Sequence, residues 1–391
     1  MLDKYPSLKE AAKRLNLDVD RMEYSLNNEF KDLGLNKTYF IITHGCLANE
    51  RDSEVINGIL ESAGFKRNDD ISKVDLIIVN TCAIREGAED KVLGEIGALK
   101  RYKTNNPNLI IAVCGCMAQE EDVVNEIKTK YKQIDLIFGT NNIHNLLEFL
   151  KERYDSDSRV IQVESGRGSV IENLPDVRNS KYKALVNIMY GCNKFCTYCI
   201  VPYTRGPERS RDPESILSEA QTLIDNGYKE ISLLGQNVDS YNWKGPDGES
   251  VSFAQLLEMV AQLNPDVRIR FSTSYPNDIK DEVLYTMAKY ENICKHIHFP
   301  VQSGSDAMLV KMRRKYTREG YLERIAKIRE IIPDCGITTD VIAGFCGETP
   351  QDHEDTLSLF REVRYDGAFM FQYSRRPNTL AARHYEDDVP N

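Results

Sequence analysis

The chain has 391 residues, 41% hydrophobic and 28% charged, with a formal net charge of −10. That is material for two or three domains with cores of their own, and the acidic balance excludes a wholly basic nucleic-acid coat while leaving room for a local basic groove. No apolar run approaches the ~20 residues of a membrane helix, and ten cysteines behind a charged N-terminus fit a reducing, cytoplasmic setting in which cysteine serves metal or catalysis more than disulfides.

Leu8, Ala11, Ala12 and Leu15 recur at helical spacing, so 7–31 reads as one or two helices within an N-terminal extension, 1–36. From 37 to 154 strands and helices alternate. The strand at 39–42 leads to Gly45-Cys46, the strand at 75–80 to Thr81-Cys82, and the strand at 109–113 to Cys114-Gly115-Cys116. Helices are expected near 50–62, 87–102 and 120–130, then a strand at 136–138 and one more helix. This alternation predicts a parallel sheet wound on both faces, whose ligands sit outside the carboxyl ends of the strands. A single cysteine there is ordinarily a buried apolar thiol. Three at equivalent ends, Cys46, Cys82 and Cys116, favour a cluster site. Gly115 should break the third strand and place Cys116, rather than Cys114, in the loop.

Residues 155–182 are polar and contain Gly, Pro and Ser, which reads as a linker with one short strand at 159–163. The next domain, 183–376, opens with a strand at 184–189. Five more are expected at 230–234, 267–271, 297–299, 337–342 and 368–373, alternating with helices near 253–263, 280–289, 318–331 and 349–363. Asp212-Pro213-Glu214 is an N-cap followed by Pro at the first helical position. The fold class is therefore α/β, with a doubly wound parallel sheet followed by a partial (β/α)6 barrel whose active residues lie at strand C-terminal ends. Residues 377–391 read as the start of a linker.

Directly after the first barrel strand comes Cys192-x3-Cys196-x2-Cys199. Three thiolates on one loop can hold three irons of a 4Fe–4S cube and leave the fourth open to a small chelating molecule. Closed zinc sites need four Cys or His ligands, and no fourth stands near. A disulfide with one odd thiol is the other alternative, and the compartment argues against it.

With aromatic Tyr198 before its last cysteine, this motif resembles that of the radical S-adenosylmethionine (SAM) enzymes. The three-cysteine α/β domain ahead of it resembles the methylthiotransferases, and within them the MiaB-type tRNA enzymes. The matching stretches are 79–86, 199–205, 233–238 and 300–305, and the resemblance runs from about Thr38 to the C-terminus. It departs at Leu47-Ala48, where the family often has Gln-Met, and at Cys346, where Pro is commoner. The family usually continues into a small C-terminal β-barrel, so this chain is expected to be a fragment lacking it.

The resemblance implies sulfur and methyl insertion at C2 of N6-isopentenyl-adenosine beside the tRNA anticodon. Relatives acting on threonylcarbamoyl-adenosine, or on an aspartate of a ribosomal protein, are the alternatives. It implies two 4Fe–4S clusters, one on Cys192, Cys196 and Cys199 that takes SAM and one on Cys46, Cys82 and Cys116. Tyr198, Gln236, Asn237, Gln302, Gly344 and Glu348 are the expected SAM or base contacts. Arg205, Arg209 and Arg211 are the expected RNA contacts, with Arg313–Lys315 and Arg375-Arg376 as further candidates for phosphates. The implied partners are tRNA bearing isopentenyl-adenosine and a low-potential electron donor, with no membrane and a monomeric chain.

Overall fold

The structure, a computed structural model, describes residues 19–83, 86–156, 158–164 and 168–390. They form two compact units. One runs to Asn179 and takes in Val201–Pro207; the other comprises Ser180–Ile200 and Glu208–Asn391.

The first unit is built on β1 (Thr38–Thr43), α1 (Leu47–Ser62), β2 (Lys66–Arg67), β3 (Leu76–Thr81), α2 (Glu86–Ala98), β4 (Ile110–Gly115), α3 (Glu121–Lys130), β5 (Leu136–Phe138), α4 (Leu146–Asp155) and β6 (Val160–Gln162). All pairings are parallel, in the order β2-β1-β3-β4-β5-β6. Every residue of β3, β4 and β5 is buried. That explains the unbroken apolar runs: a parallel sheet covered on both faces has no polar side to alternate with. Ile56, Ile59 and Leu60 of α1 and Leu146, Phe149 and Leu150 of α4 close the core.

Two expectations need correction here. Residues 7–18 lie outside the described residues, but beyond them Arg21–Glu23 is a strand paired in parallel with Val170–Glu172, and Asn28–Phe30 is a single 3₁₀ turn. Strand pairing with a distant segment overrides a weak local helical preference. Nor is 155–182 a mere spacer. Gly58 of α1 leaves room for the backbone of Pro175 and Asp176, which a Cβ there would strike. Across that contact Arg51 pairs with Asp176 at 2.8 Å and Arg178 with Glu54 at 3.3 Å. Polar residues of α1 that look solvated in sequence are covered by this segment.

The second unit carries β7 (Lys183–Asn187), α5 (Pro213–Asp225), β8 (Glu230–Leu234), α6 (Phe253–Leu263), β9 (Arg268–Ser272), α7 (Asp281–Lys289), β10 (His296–His298), α8 (Arg318–Ile331), β11 (Gly336–Ala343), α9 (Pro350–Val363) and β12 (Gly367–Gln372). β7, β8 and β9 pair in parallel, as do β10, β11 and β12. A parallel bridge from Ile269 to Ile293 joins the two halves into one arc. This is the six-stranded partial barrel expected from the sequence. Its core comes from inward strand residues such as Ile231, Leu233, Ile269 and Ile297, from Phe299 just after β10, and from the apolar stripes of α5 to α9. Asp212 caps α5 by accepting from Glu214 N at 2.8 Å, with Pro213 at the first position. The hairpin Asn242–Lys244/Ser250–Ser252 and the short helices Asp306–Lys311 and Leu380–His384 were not foreseen, because elements this short carry no readable period. No helix among the described residues is long and apolar enough to cross a membrane.

Candidate active site

After β7 the chain makes a two-residue antiparallel contact, Met189–Tyr190 with Arg209–Ser210, and turns at Gly191 with φ +71°. The cysteine loop follows, at the C-terminal end of the first barrel strand. Buried Phe195, at φ +51°, anchors it. Thr197 ties it to the helix Asp306–Lys311 through N–H to Met312 O (3.1 Å) and Oγ1 to Lys311 O (2.9 Å). Cys199 N–H donates to Cys196 O at 2.9 Å, closing the turn that brings these two together. Asn193 and Glu208 exchange two bonds of 3.1 and 3.2 Å across the mouth of the loop. Burial, together with Glu208 and the sister thiols Cys199 and Cys196, pushes the Cys192 thiol well up. Among the described residues no group of three or more His, Cys, Asp or Glu side chains is placed to hold a metal ion.

The expected cofactor contacts lie at the strand ends. Tyr198 sits edge-on to Phe345, ring centroids 6.4 Å apart, and burial pushes its phenol well up. Gln236 is half-buried in the loop after β8. Asn237 beside it is buried, and its Nδ2 donates to Ser240 and, at 2.5 Å, to Asp278. Its Oδ1 has no partner among the described residues, so a buried acceptor is left for a bound molecule. Gln302, at φ +71°, is held by backbone bonds of 2.9 Å to Asp340 and Ile342 of β11. Gly344 turns at φ +75° and donates to Glu348, whose carboxyl is pushed up by burial.

Sequence reasoning missed the acidic and cationic groups around these. Asp278 also accepts from Ser240 at 3.0 Å and pairs with Lys194 of the cysteine loop. Asp239 is half-buried nearby, its carboxyl pushed up to about 7 by desolvation. Lys194 was visible inside the motif; nothing local marked Asp278.

In the first unit Cys46 stands at the N-terminus of α1 after β1, Cys82 follows β3 and Cys116 follows β4. Gly45, at φ +129°, lies so close that a Cβ there would come within 2.8 Å of the Cys82 Cβ. Gly115 turns out of β4 at φ +93°, and Cys116 N–H donates to Thr81 O at 2.9 Å. Asn49 and Asn80 lock the strand ends: Asn49 Nδ2 reaches Thr81 O at 3.0 Å, and Asn80 Nδ2 reaches Asn49 O at 2.9 Å. Cys114 points into the core among apolar residues. The break at Gly115 thus separates the two thiols as the sequence suggested.

The arginines require a correction. Arg205, Arg209 and Arg211 are all buried. Arg205 pairs with Asp52 at 2.7 Å, Arg211 with Glu219 at 2.7 Å, and Arg209 lies over the Tyr190 ring. Arg314 and Arg376 are buried too. Charged groups held by internal partners are not offered to phosphates, so basic clustering in sequence was a poor guide. Arg205 instead faces Cys116, whose thiol burial pushes up while that guanidinium draws it down.

The Radical SAM superfamily matches residues 186–360, and the Uncharacterized protein family UPF0004 matches residues 38–139. The tRNA-2-methylthio-N(6)-dimethylallyladenosine synthases of Bacillus velezensis and Bacillus subtilis are 52% and 50% identical to this chain over 388 residues, covering 98% of it and 75% of each relative. The chain belongs to this synthase family. Among solved structures, the radical SAM methyltransferase TsrM from Kitasatospora setae superposes with a TM-score of 0.63 at 14% identity, over 89% of this chain and 75% of that one. The cobalamin-dependent radical SAM enzyme OxsB gives 0.57 at 14% identity, over 84% of this chain and 52% of that one. At such identities these two speak for the fold alone. The synthase family, as part of the radical SAM superfamily, brings SAM and a 4Fe–4S cluster. The loop of Cys192, Cys196 and Cys199 and the orphaned Asn237 Oδ1 fit those groups.

Proposed function

We propose that this chain inserts sulfur and a methyl group at C2 of N6-isopentenyl-adenosine next to a tRNA anticodon, in the cytoplasm and as a monomer served by a low-potential electron donor. The observation that carries the reading is the second thiol triad. Cys46, Cys82 and Cys116 follow three adjacent parallel strands at their carboxyl ends, with Gly45 lying against Cys82 and Gly115 against Thr81. One cysteine triad suits a radical SAM enzyme of any kind; a second, in its own α/β unit, suits one that also delivers sulfur.

When bound, SAM and the barrel cluster supply one-electron chemistry able to attack an aromatic C–H bond, which no side-chain acid or base can break. Cys192, Cys196 and Cys199 hold the cluster in this reading. Asn237, kept in place by Asp278, offers its free carbonyl to the bound cofactor or base, and Gln302 and Glu348 contribute at the neighbouring strand ends. Cys46, Cys82 and Cys116 hold a second cluster with one open iron for the sulfur to be transferred.

Anaerobically reconstituted protein is expected to carry about eight iron and eight sulfide, two cubes' worth. Cys82→Ala halves this and leaves reductive SAM cleavage intact; loss of cleavage in that variant would break the division of labour between the triads. For the substrate, mass spectrometry of tRNA from cells lacking the gene should show isopentenyl-adenosine without its methylthio group. Persistence of the methylthio form would point to the threonylcarbamoyl or ribosomal-protein alternatives.

A further inference from the structure

Arg314 is among the most enclosed charges in the barrel unit, only 8% exposed. The chain reaches it from the helix Asp306–Lys311 through Arg313, which turns at φ +58°. Its Nη1 donates to the Cys196 sulfur at 3.3 Å and faces the Tyr198 hydroxyl at 3.5 Å. Nη2 donates to Pro300 O at 2.8 Å, and Nε to the Tyr316 hydroxyl at 2.7 Å. The guanidinium also lies over the Tyr275 and Tyr316 rings, at 4.4 and 5.2 Å from their centroids. Three carbonyl or phenol oxygens, two aromatic faces and one sulfur surround it. No carboxylate is among its partners in the described residues.

A buried cation without an anion is costly, and Arg does not shed its proton. The group that Arg314 meets in place of a carboxylate is the Cys196 sulfur, which is a thiolate when it ligates iron. We propose that Arg314 sets the electron affinity of the barrel cysteine site, through its hydrogen bond to the Cys196 sulfur and its fixed positive charge. The inference rests on the reading that Cys192, Cys196 and Cys199 carry a 4Fe–4S cluster. One electron from a low-potential one-electron donor takes the core from 2+ to 1+, with no bond made to Arg314 and no proton moved. That electron reduces the iron of the core and makes the cluster with its thiolates one charge more negative as a whole. A donor and cation against one of them favours the more negative state, since hydrogen bonds to sulfur and local charge set cluster potentials. Arg314 is a positioning residue in this account: it acts through Cys196, and its two tyrosine faces and the Pro300 carbonyl hold the fork in place.

The test uses the full chain reconstituted anaerobically with iron and sulfide, in a Cys46→Ala/Cys82→Ala/Cys116→Ala background so that the barrel site reports alone. The midpoint potential is read by mediated dithionite titration with electron paramagnetic resonance, beside iron content and SAM affinity. Arg314→Met should shift the reduction equilibrium roughly tenfold toward the oxidised form, about 59 mV for a one-electron couple. Arg314→Lys, which keeps the charge but not the planar fork, should fall between. Full iron content with an unchanged potential would overturn the proposal. So would a fall in SAM affinity at unchanged potential, which would make Arg314 a cofactor ligand. If Arg314→Met holds no iron, Arg314→Lys decides by the same criterion. A background protein that takes up no iron would instead defeat the cluster reading itself.

Discussion

Replacing Arg205 by Ala tests whether the ion pair beside Cys116 is truly enclosed. Arg205 Nη2 and Asp52 Oδ2 are 2.7 Å apart, and each side chain is 9% exposed. At an effective dielectric of ~20 their attraction is ~6 kcal/mol. Desolvating two ions costs several kcal/mol each, so the pair as a whole contributes little net stability. The single substitution is different, because it leaves the Asp52 carboxylate buried without its cation. Among the described residues Arg205 is the hydrogen-bonding partner of that side chain. The expected loss is ~3–5 kcal/mol, measured as the change in urea-unfolding free energy of the full chain by far-UV circular dichroism. Asp52→Ala should lose a similar amount, and the double variant Arg205→Met/Asp52→Leu should recover most of it. Single variants within ~1 kcal/mol of the parent would mean that the pair is solvated and that the burial argument fails.

Asp239 makes stability depend on pH. Its carboxyl, desolvated near Asp278 and Arg324, titrates at about 7, against ~3.9 in an unfolded chain. Between those values the unfolded chain has lost a proton that the folded chain keeps. Stability contributed by this group should therefore fall as pH rises from about 4 to about 7, by ~4 kcal/mol in all, and then level off. Asp239→Asn should flatten that slope in unfolding curves taken across the window, and an unchanged slope would refute the assignment. Gly58→Ala should cost ~1–3 kcal/mol, because the added methyl meets the Pro175–Asp176 backbone; thermal melts that match the parent would show that the segment is not packed on α1.

The strands were legible because buried parallel strands are written as apolar runs, and the cysteines because their loops interrupt those runs at one edge. Gly115 marked the place between Cys114 and Cys116 where the chain turns, and it does so at φ +93°. What stayed hidden were partnerships spanning long sequence separations. Arg205 finds Asp52 across 153 residues and Arg314 finds Cys196 across 118. Glu54 likewise accepts from the Asn179 backbone 125 residues on. A local window reads each of these charges as solvated surface. The strand at Arg21–Glu23 was lost for the same reason, since its pairing partner lies at Val170–Glu172. Asn237 was found by its place after a strand, but Asp278, which orients it, carries no mark of its own.

Val201–Pro207 belongs to the first unit although it is encoded inside the second. Thr140 Oγ1 donates to Thr204 O at 2.6 Å there, alongside the Arg205–Asp52 pair. During vectorial synthesis the first unit therefore still lacks this segment when the ribosome passes Asn179. It must wait, on the order of a few seconds at ordinary elongation rates, for a stretch that arrives only after Cys192, Cys196 and Cys199 have been made. A gene cut near residue 180 would leave the first half without its own closing piece, so the two halves of this chain are better regarded as interleaved products of one translation event than as modules to be exchanged.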